Sequence, residues 1–115
     1  MQNLDQIRAA AAIEPAKALD RSAISKLPAL ILNNGLLAAA AFCGAEGGGE
    51  NRGHLKSAMV ATAKHLASRG IVASKIADIP ALVHDLSGKD SLTLQRATTE
   101  ALAFIAYLKR FSKKD

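Results

Sequence analysis

Apolar positions near the C-terminus fall at Leu94, Ala97, Ala101, Phe104, Leu108 and Phe111, in steps of 3, 4, 3, 4 and 3. That rhythm predicts a long amphipathic helix with a seam for another helix. Leu102 and Ile105 widen the seam, and Asp90 and Ser91 precede it. A shorter helix is predicted before it, started by Asp78 with Pro80 in its first turn and stopped by Gly88. Its inward positions are Ile79, Leu82, Val83 and Leu86.

Farther upstream, Leu55, Ala58, Met59, Thr62 and Leu66 form the core face of another helix, which Asn51 can cap. Thr62 is polar on that face, and its hydroxyl can bond back to the Ala58 carbonyl. Arg69, Gly70 and Ile71 have the order of a helix end: a cation, a left-handed glycine, then an apolar residue. At the start of the chain, Asn3 and Gln6 make a capping box. Leu4, Ile7, Ala11 and Ala18 share one face, as do Ala12, Ala16 and Leu19, while Pro15 should kink or divide that helix. Asp20 to Ser25 reads as a polar joint, with Ser25 as the next cap.

The run from Leu27 to Phe42 is harder to read. Leu27, Leu30, Ile31, Ala38, Ala41 and Phe42 keep helical spacing, but Asn33, Asn34 and Gly35 interrupt them. Asn-Gly between apolar stretches is a turn motif, and a helix that stops at Asn33 and restarts at Leu36 satisfies it. No β-like alternation flanks the pair, which favours the other reading, a continuous helix. There Gly35 admits a second backbone, and Asn33 and Asn34 bond a partner. Residues 44–51 are glycine-rich. No strand precedes them and no Gly-Lys-Ser/Thr follows, so they read as a linker and not a phosphate-binding loop.

The expectation is therefore an all-α fold: one domain over 1–115, a compact bundle of about five helices joined by short loops. Composition agrees, with 24 alanines and only 3% aromatic residues. Small side chains let helices pack closely and leave little bulk to enclose a small-molecule substrate. Cys43 is the sole cysteine, which excludes a disulfide framework and a cysteine zinc cluster. Asp5 and Arg8 interrupt any leader-like apolar stretch, and the Leu27–Phe42 run is too short to span a bilayer. A soluble, cytoplasmic protein without membrane attachment is expected.

His54, His65 and His84 lack the i, i+4 spacing of a helical metal site and read as surface or partly buried. No acid/base pair or nucleophile elbow is evident, so no enzyme activity, metal or cofactor is expected. Net charge is +5, and unevenly spread. Residues 1–57 hold six Lys/Arg against five Asp/Glu, and residues 58–115 hold nine against five. Arg96, Ala103, Tyr107, Arg110 and Lys114 share a face of the last helix, where Tyr107 can stack on a base and the cations can hold phosphates. The competing reading is structural. Cations at a helix C-terminus suit its macrodipole, and Arg96 can pair with Glu100 one turn on.

Three stretches carry a family resemblance: Leu4-Asp-Gln-Ile-Arg-Ala9, Leu27-Pro-Ala-Leu-Ile-Leu-Asn-Asn-Gly-Leu36 and Thr99-Glu-Ala-Leu-Ala-Phe-Ile-Ala-Tyr-Leu-Lys-Arg-Phe111. In order, spacing and length the chain resembles the small all-helical subunit of the Cmr complex, the type III-B CRISPR effector that silences RNA in antiviral defence. Pro15 departs from the uninterrupted first helix of that family. The resemblance implies a non-catalytic subunit. Several copies would stack along the backbone filament of larger subunits, beside the groove where target RNA pairs with guide RNA. The partners implied are the other Cmr subunits, above all the filament subunit, further copies of the chain, and guide and target RNA. The basic residues in or beside the matched stretches are Arg8, Lys26, Arg96, Lys109 and Arg110, and these are the expected RNA contacts. Asn33, Asn34 and Gly35 are the expected partner interface. The alternative is a purely structural protein–protein scaffold whose charge serves solubility.

Overall fold

The computed structural model describes residues 3–45 and 50–113, without the side chains of residues 50 and 51. Most of the glycine-rich linker lies outside the described residues, as does Lys114, and the expected cap Asn51 is not the first residue of its helix, which already begins at Glu50. The described chain is all-helical, in seven segments: α1 (Leu4–Ala16), α2 (Arg21–Ile24), α3 (Leu27–Asn34), α4 (Leu36–Gly44), α5 (Glu50–Ser68), α6 (Ile79–Ser87) and α7 (Ser91–Phe111). α5 runs through the middle, packed on α1, α2, α4, α6 and α7, while α1 lies along α7 and α4 along α6.

Most boundaries follow from local chemistry. Asn3 and Gln6 form the capping box, each side chain accepting from the other's backbone N–H at 2.8 Å. Asp78 accepts from the Ala81 N–H, and Asp90 from the Thr93 N–H. α5 ends in a Schellman motif. Gly70 (φ +73°) donates to the Ala67 carbonyl, and Ile71 donates to Leu66 while its side chain is buried. The Thr62 hydroxyl donates to the Ala58 carbonyl at 2.8 Å, which lets a polar residue sit fully buried.

Three boundaries differ from the sequence reading. Pro15 does not kink a long helix; α1 closes one residue after it, at Ala16. The polar joint contains a one-turn helix, α2, capped by Asp20, which accepts from the Ala23 N–H. Ser25 does not cap the next helix. Its hydroxyl bonds back to the Ser22 carbonyl, and α3 starts at Leu27, preceded by Lys26 as an N-cap that makes no side-chain bond.

A further difference lies at Asn33–Gly35, where the helix breaks. Gly35 has φ +88° and ψ 158°, closing α3 through its N–H to the Ile31 carbonyl and opening α4 through its own carbonyl to Ala39. A Cβ at Gly35 would meet nothing within 4 Å, so this glycine is there for its backbone angle and not for close approach. The break also rotates the buried face. A continuous helix would carry Leu27 and Ile31 on to Ala38 and Phe42. Instead α4 buries Leu36, Ala39, Ala40 and Cys43, while Ala38, Ala41 and Phe42 are exposed. The close approach occurs at Gly44, where a Cβ would stand 2.7 Å from Ile79 Cγ2.

Every segment contributes to the core, and so does the α5–α6 connection through Ile71, Val72 and Ile76. The α7 seam buries Ala97, Ala101, Phe104 and Leu108 as its spacing predicts, while Phe111 at its end is exposed. The C-terminal tail returns to the α1–α2 joint, where Lys113 donates to the Leu19 carbonyl and accepts from the Arg21 N–H.

Gly35 occupies a region of backbone space open essentially to glycine alone. Gly35→Ala should therefore cost about 1–3 kcal/mol, read as a shift in the urea midpoint. Gly35→Asn should be no better than Ala, whereas Gly70→Asn should cost less than Gly70→Ala, since Asn tolerates the left-handed helical angles of a Schellman glycine. Equal costs of Asn and Ala at both positions would contradict this assignment.

Candidate functional site

The most polar buried cluster joins three helices. Glu100 of α7 is only 6% exposed. The Arg8 fork from α1 meets it with both Nε and Nη2, each donating at 2.8 Å. From α5, His65 places Nε2 at 2.8 Å from Glu100 Oε2, with its ring stacked on Phe104 at 4.4 Å between centroids and 9° between planes. Burial alone would raise the Glu100 carboxyl. The hydrogen bonds from Arg8 and His65, together with the charge on Arg8, outweigh it and hold the carboxyl below its ordinary range. The Arg8 guanidinium is correspondingly raised, chiefly by its hydrogen bonds to Glu100.

A histidine oriented by a carboxylate is half of a nucleophile-activating array. Here its other nitrogen, Nδ1, is buried without a hydrogen-bond partner among the described residues, and the side chain is 1% exposed. The cluster ties α1, α5 and α7 together. Cys43 is likewise buried, which pushes its thiol up to about 11 and keeps it protonated near neutral pH. Among the described residues no group of three or more His, Cys, Asp or Glu side chains is arranged to hold a metal ion. No helix there is long and apolar enough to cross a membrane.

This cluster bears on three expectations. Glu100 pairs with Arg8 and His65 and not with Arg96, which is exposed beside Arg69, Leu92 and Gln95. His65 is buried, not at the surface or partly so; His54 is half-buried, accepting from the Asp20 N–H at 3.2 Å, and His84 is exposed. Arg8, expected among the RNA contacts, directs its fork inward; its remaining nitrogen reaches Asp5 at 3.3 Å. The sequence did hold a clue. Glu100 and His65 both occupy inward positions of their helices, and a charge there needs a partner.

The other expected cations are dispersed. Lys109 and Arg110 line an open groove with Arg21, Pro28, Leu32 and Ala106, and no acidic side chain among the described residues lines it. The Arg110 guanidinium lies over Tyr107, 5.7 Å from its centroid, and Tyr107 stacks in turn on Phe111. Arg96 is 14 residues earlier on α7, about 21 Å along the axis. Lys26 stands exposed at the head of α3. Arg21 was missed by sequence reasoning, and nothing in its local sequence marks it. Its Nε donates to the Lys109 carbonyl at 2.8 Å, and its Nη2 to those of Arg110 and Ser112 at 2.9 and 3.2 Å. It therefore satisfies the last carbonyls of α7.

The break at Gly35 divides the expected partner interface. Gly35 lines a groove with Leu32, Leu36, Leu37 and Leu102, whereas Asn33 and Asn34 line a separate cleft with Lys26 and Phe42. Asn34 Nδ2 donates to the Leu30 carbonyl at 3.3 Å, and the Arg52 guanidinium sits 4.0 Å from the Phe42 ring centroid.

The buried ion pair gives a signed pH dependence. A carboxyl held below its ordinary range contributes stability above its unfolded pKa and loses it as pH falls through the folded value. Unfolding midpoints should thus drop as pH falls below about 4.5. Arg8→Ala should cost about 3–5 kcal/mol at pH 7, because Glu100 is left buried without its cation. The cost should shrink in acid as Glu100 takes up a proton, and a pH-independent loss would argue against this account.

The sequence profile of the family CRISPR-associated protein (Cas_Cmr5) matches residues 3–114. No curated protein and no solved structure is significantly similar to the chain. The match spans nearly all of the chain and agrees with the resemblance seen in its first, second and last matched stretches. The chain belongs to the Cas_Cmr5 family and is a small Cmr-type CRISPR-associated subunit.

Proposed function

We propose that the protein is a non-catalytic subunit of a type III-B Cmr effector, stacking along the backbone filament and touching the RNA backbone through exposed cations. One observation carries the RNA part. Arg21 already holds the last carbonyls of α7, so Lys109 and Arg110 are not needed to cap that helix. Their groove has a cationic rim and no acidic lining among the described residues. Phosphates are the ligand such a rim attracts, and backbone contact suffices where a guide strand reads the sequence. Lys26 and Arg96 are exposed elsewhere on the molecule and are further candidate contacts. Arg8 is left out of this set, because Glu100 engages it.

The groove beside Gly35 favours a protein partner as well. Leu32 is 70% exposed on its edge, and farther along α7 Leu92 is 76% exposed. Apolar side chains this open suit a neighbouring subunit, either the filament subunit or another copy of this chain. If this surface is the whole role, the protein is a scaffold in cytoplasmic antiviral assemblies and its charge does nothing for RNA.

Salt dependence separates the two. In the reconstituted effector, Lys109→Ala and Arg110→Ala should each lower the slope of log affinity for target RNA against log salt by about 0.7. The complex itself should stay assembled. An unchanged slope removes these residues from the RNA interface. If leaving the subunit out altogether preserves RNA affinity but loosens the complex, the scaffold reading holds.

A further inference from the structure

The cleft between α3, α4 and α5 differs in character from the leucine-lined groove. It encloses about 470 Å³, within the range of roughly 300–1,000 Å³ seen for small-ligand sites. Its lining mixes Leu30 and Leu55 with Lys26, Asn33, Asn34 and the ring of Phe42. Phe42, within the apolar helix α4, is 45% exposed. The Arg52 guanidinium braces the Phe42 ring at 4.0 Å, and Phe42 is itself part of the cleft wall. The Arg52 Nη1 is buried with no hydrogen-bond partner among the described residues.

The polar groups are matched to a flat heterocycle. Asn34 commits one amide hydrogen to the Leu30 carbonyl, which leaves its oxygen as an acceptor. The exposed Asn33 amide carries both donor and acceptor. Together they complement a base edge, where donors and acceptors alternate. Lys26 supplies one positive charge, and no acidic residue lines the cleft among the described residues. An aromatic platform braced by arginine, two amides and one cation are the groups that hold an unstacked nucleotide. An acidic peptide would use the lysine but neither the ring nor the amides.

We infer that this cleft takes one unpaired RNA base, stacked on Phe42, with its edge on Asn33 and Asn34 and its phosphate on Lys26. The inference rests on the reading of the protein as an RNA-contacting subunit, and adds a base contact to the backbone contacts. It also gives the Asn-Asn pair an RNA ligand in place of a protein one.

The chain has no tryptophan, so Phe42→Trp places a single fluorescent reporter in the cleft of the full chain. Two labelled oligonucleotides of equal length serve as probes, one a single-stranded RNA and one its abasic ribose-phosphate counterpart. With intact RNA, anisotropy should report binding and the tryptophan emission should fall. The abasic strand should bind about tenfold more weakly, the size of one base–aromatic stack, and leave the emission unchanged. Phe42→Leu keeps apolar bulk and should erase that tenfold preference, as should the surface change Asn33→Ala in part. Binding of both strands with equal affinity, or with the same emission change, overturns the base site and leaves the backbone contacts standing. Binding of neither strand overturns the RNA-contacting reading as a whole.

Discussion

A carboxylate buried between helices is tolerated only where its charge is matched, and Glu100 sets that condition for the whole bundle. Its two oxygens face a guanidinium from α1 and an imidazole from α5. Three segments far apart in sequence must reach one point before the charge is satisfied. Alanine makes this possible, because Ala12, Ala16, Ala63, Ala97 and Ala101 are fully buried and bring the helix axes near enough for Arg8 and His65 to reach. Apolar packing of this kind is forgiving about register; a bidentate ion pair is not. The cluster thus selects one arrangement of α1, α5 and α7 among the several that a small-residue core would accept.

The second constraint is the backbone angle at Gly35. By ending α3 and turning α4, it gives α3 three distinct faces. Leu27 and Ile31 go to the core, Pro28 and Leu32 border the α7 grooves, and Lys26, Asn33 and Asn34 border the cleft with Phe42. A continuous helix would have buried Phe42 and merged these surfaces. The short stretch from Lys26 to Phe42 therefore supplies both an apolar groove and a polar, aromatic-walled cleft, separated by a single glycine.

Much of the helical layout was legible in the sequence. The 3-4 seam of α7, the helix starts at Asn3 and Asp78, and the Gly70-Ile71 stop all rest on interactions within one turn, and such interactions are written in adjacent residues. What failed was non-local. The Asn33–Gly35 break could be read two ways because both satisfy local propensity, and the deciding factor was which face met the core. Arg8, His65 and Glu100 each looked ordinary, since their partners lie 35 and 92 residues apart along the chain. Arg21 could not be recognised at all, because its partners are carbonyls, which leave no trace in side-chain identity. For the same reason the proposed RNA contacts were legible only as a charge excess, and the fold alone sorts inward cations from outward ones.

Arg21 illustrates why that sorting matters for any survey of this surface. It borders the same groove as Lys109 and Arg110, so a scan that neutralises one cation at a time would count it with them. Yet its guanidinium already grips three main-chain oxygens at the end of α7. Its removal would unfasten the helix that presents the neighbouring cations. A severe defect at this position would thus report on the mounting of the surface, whereas milder effects at its neighbours would report on what the surface touches.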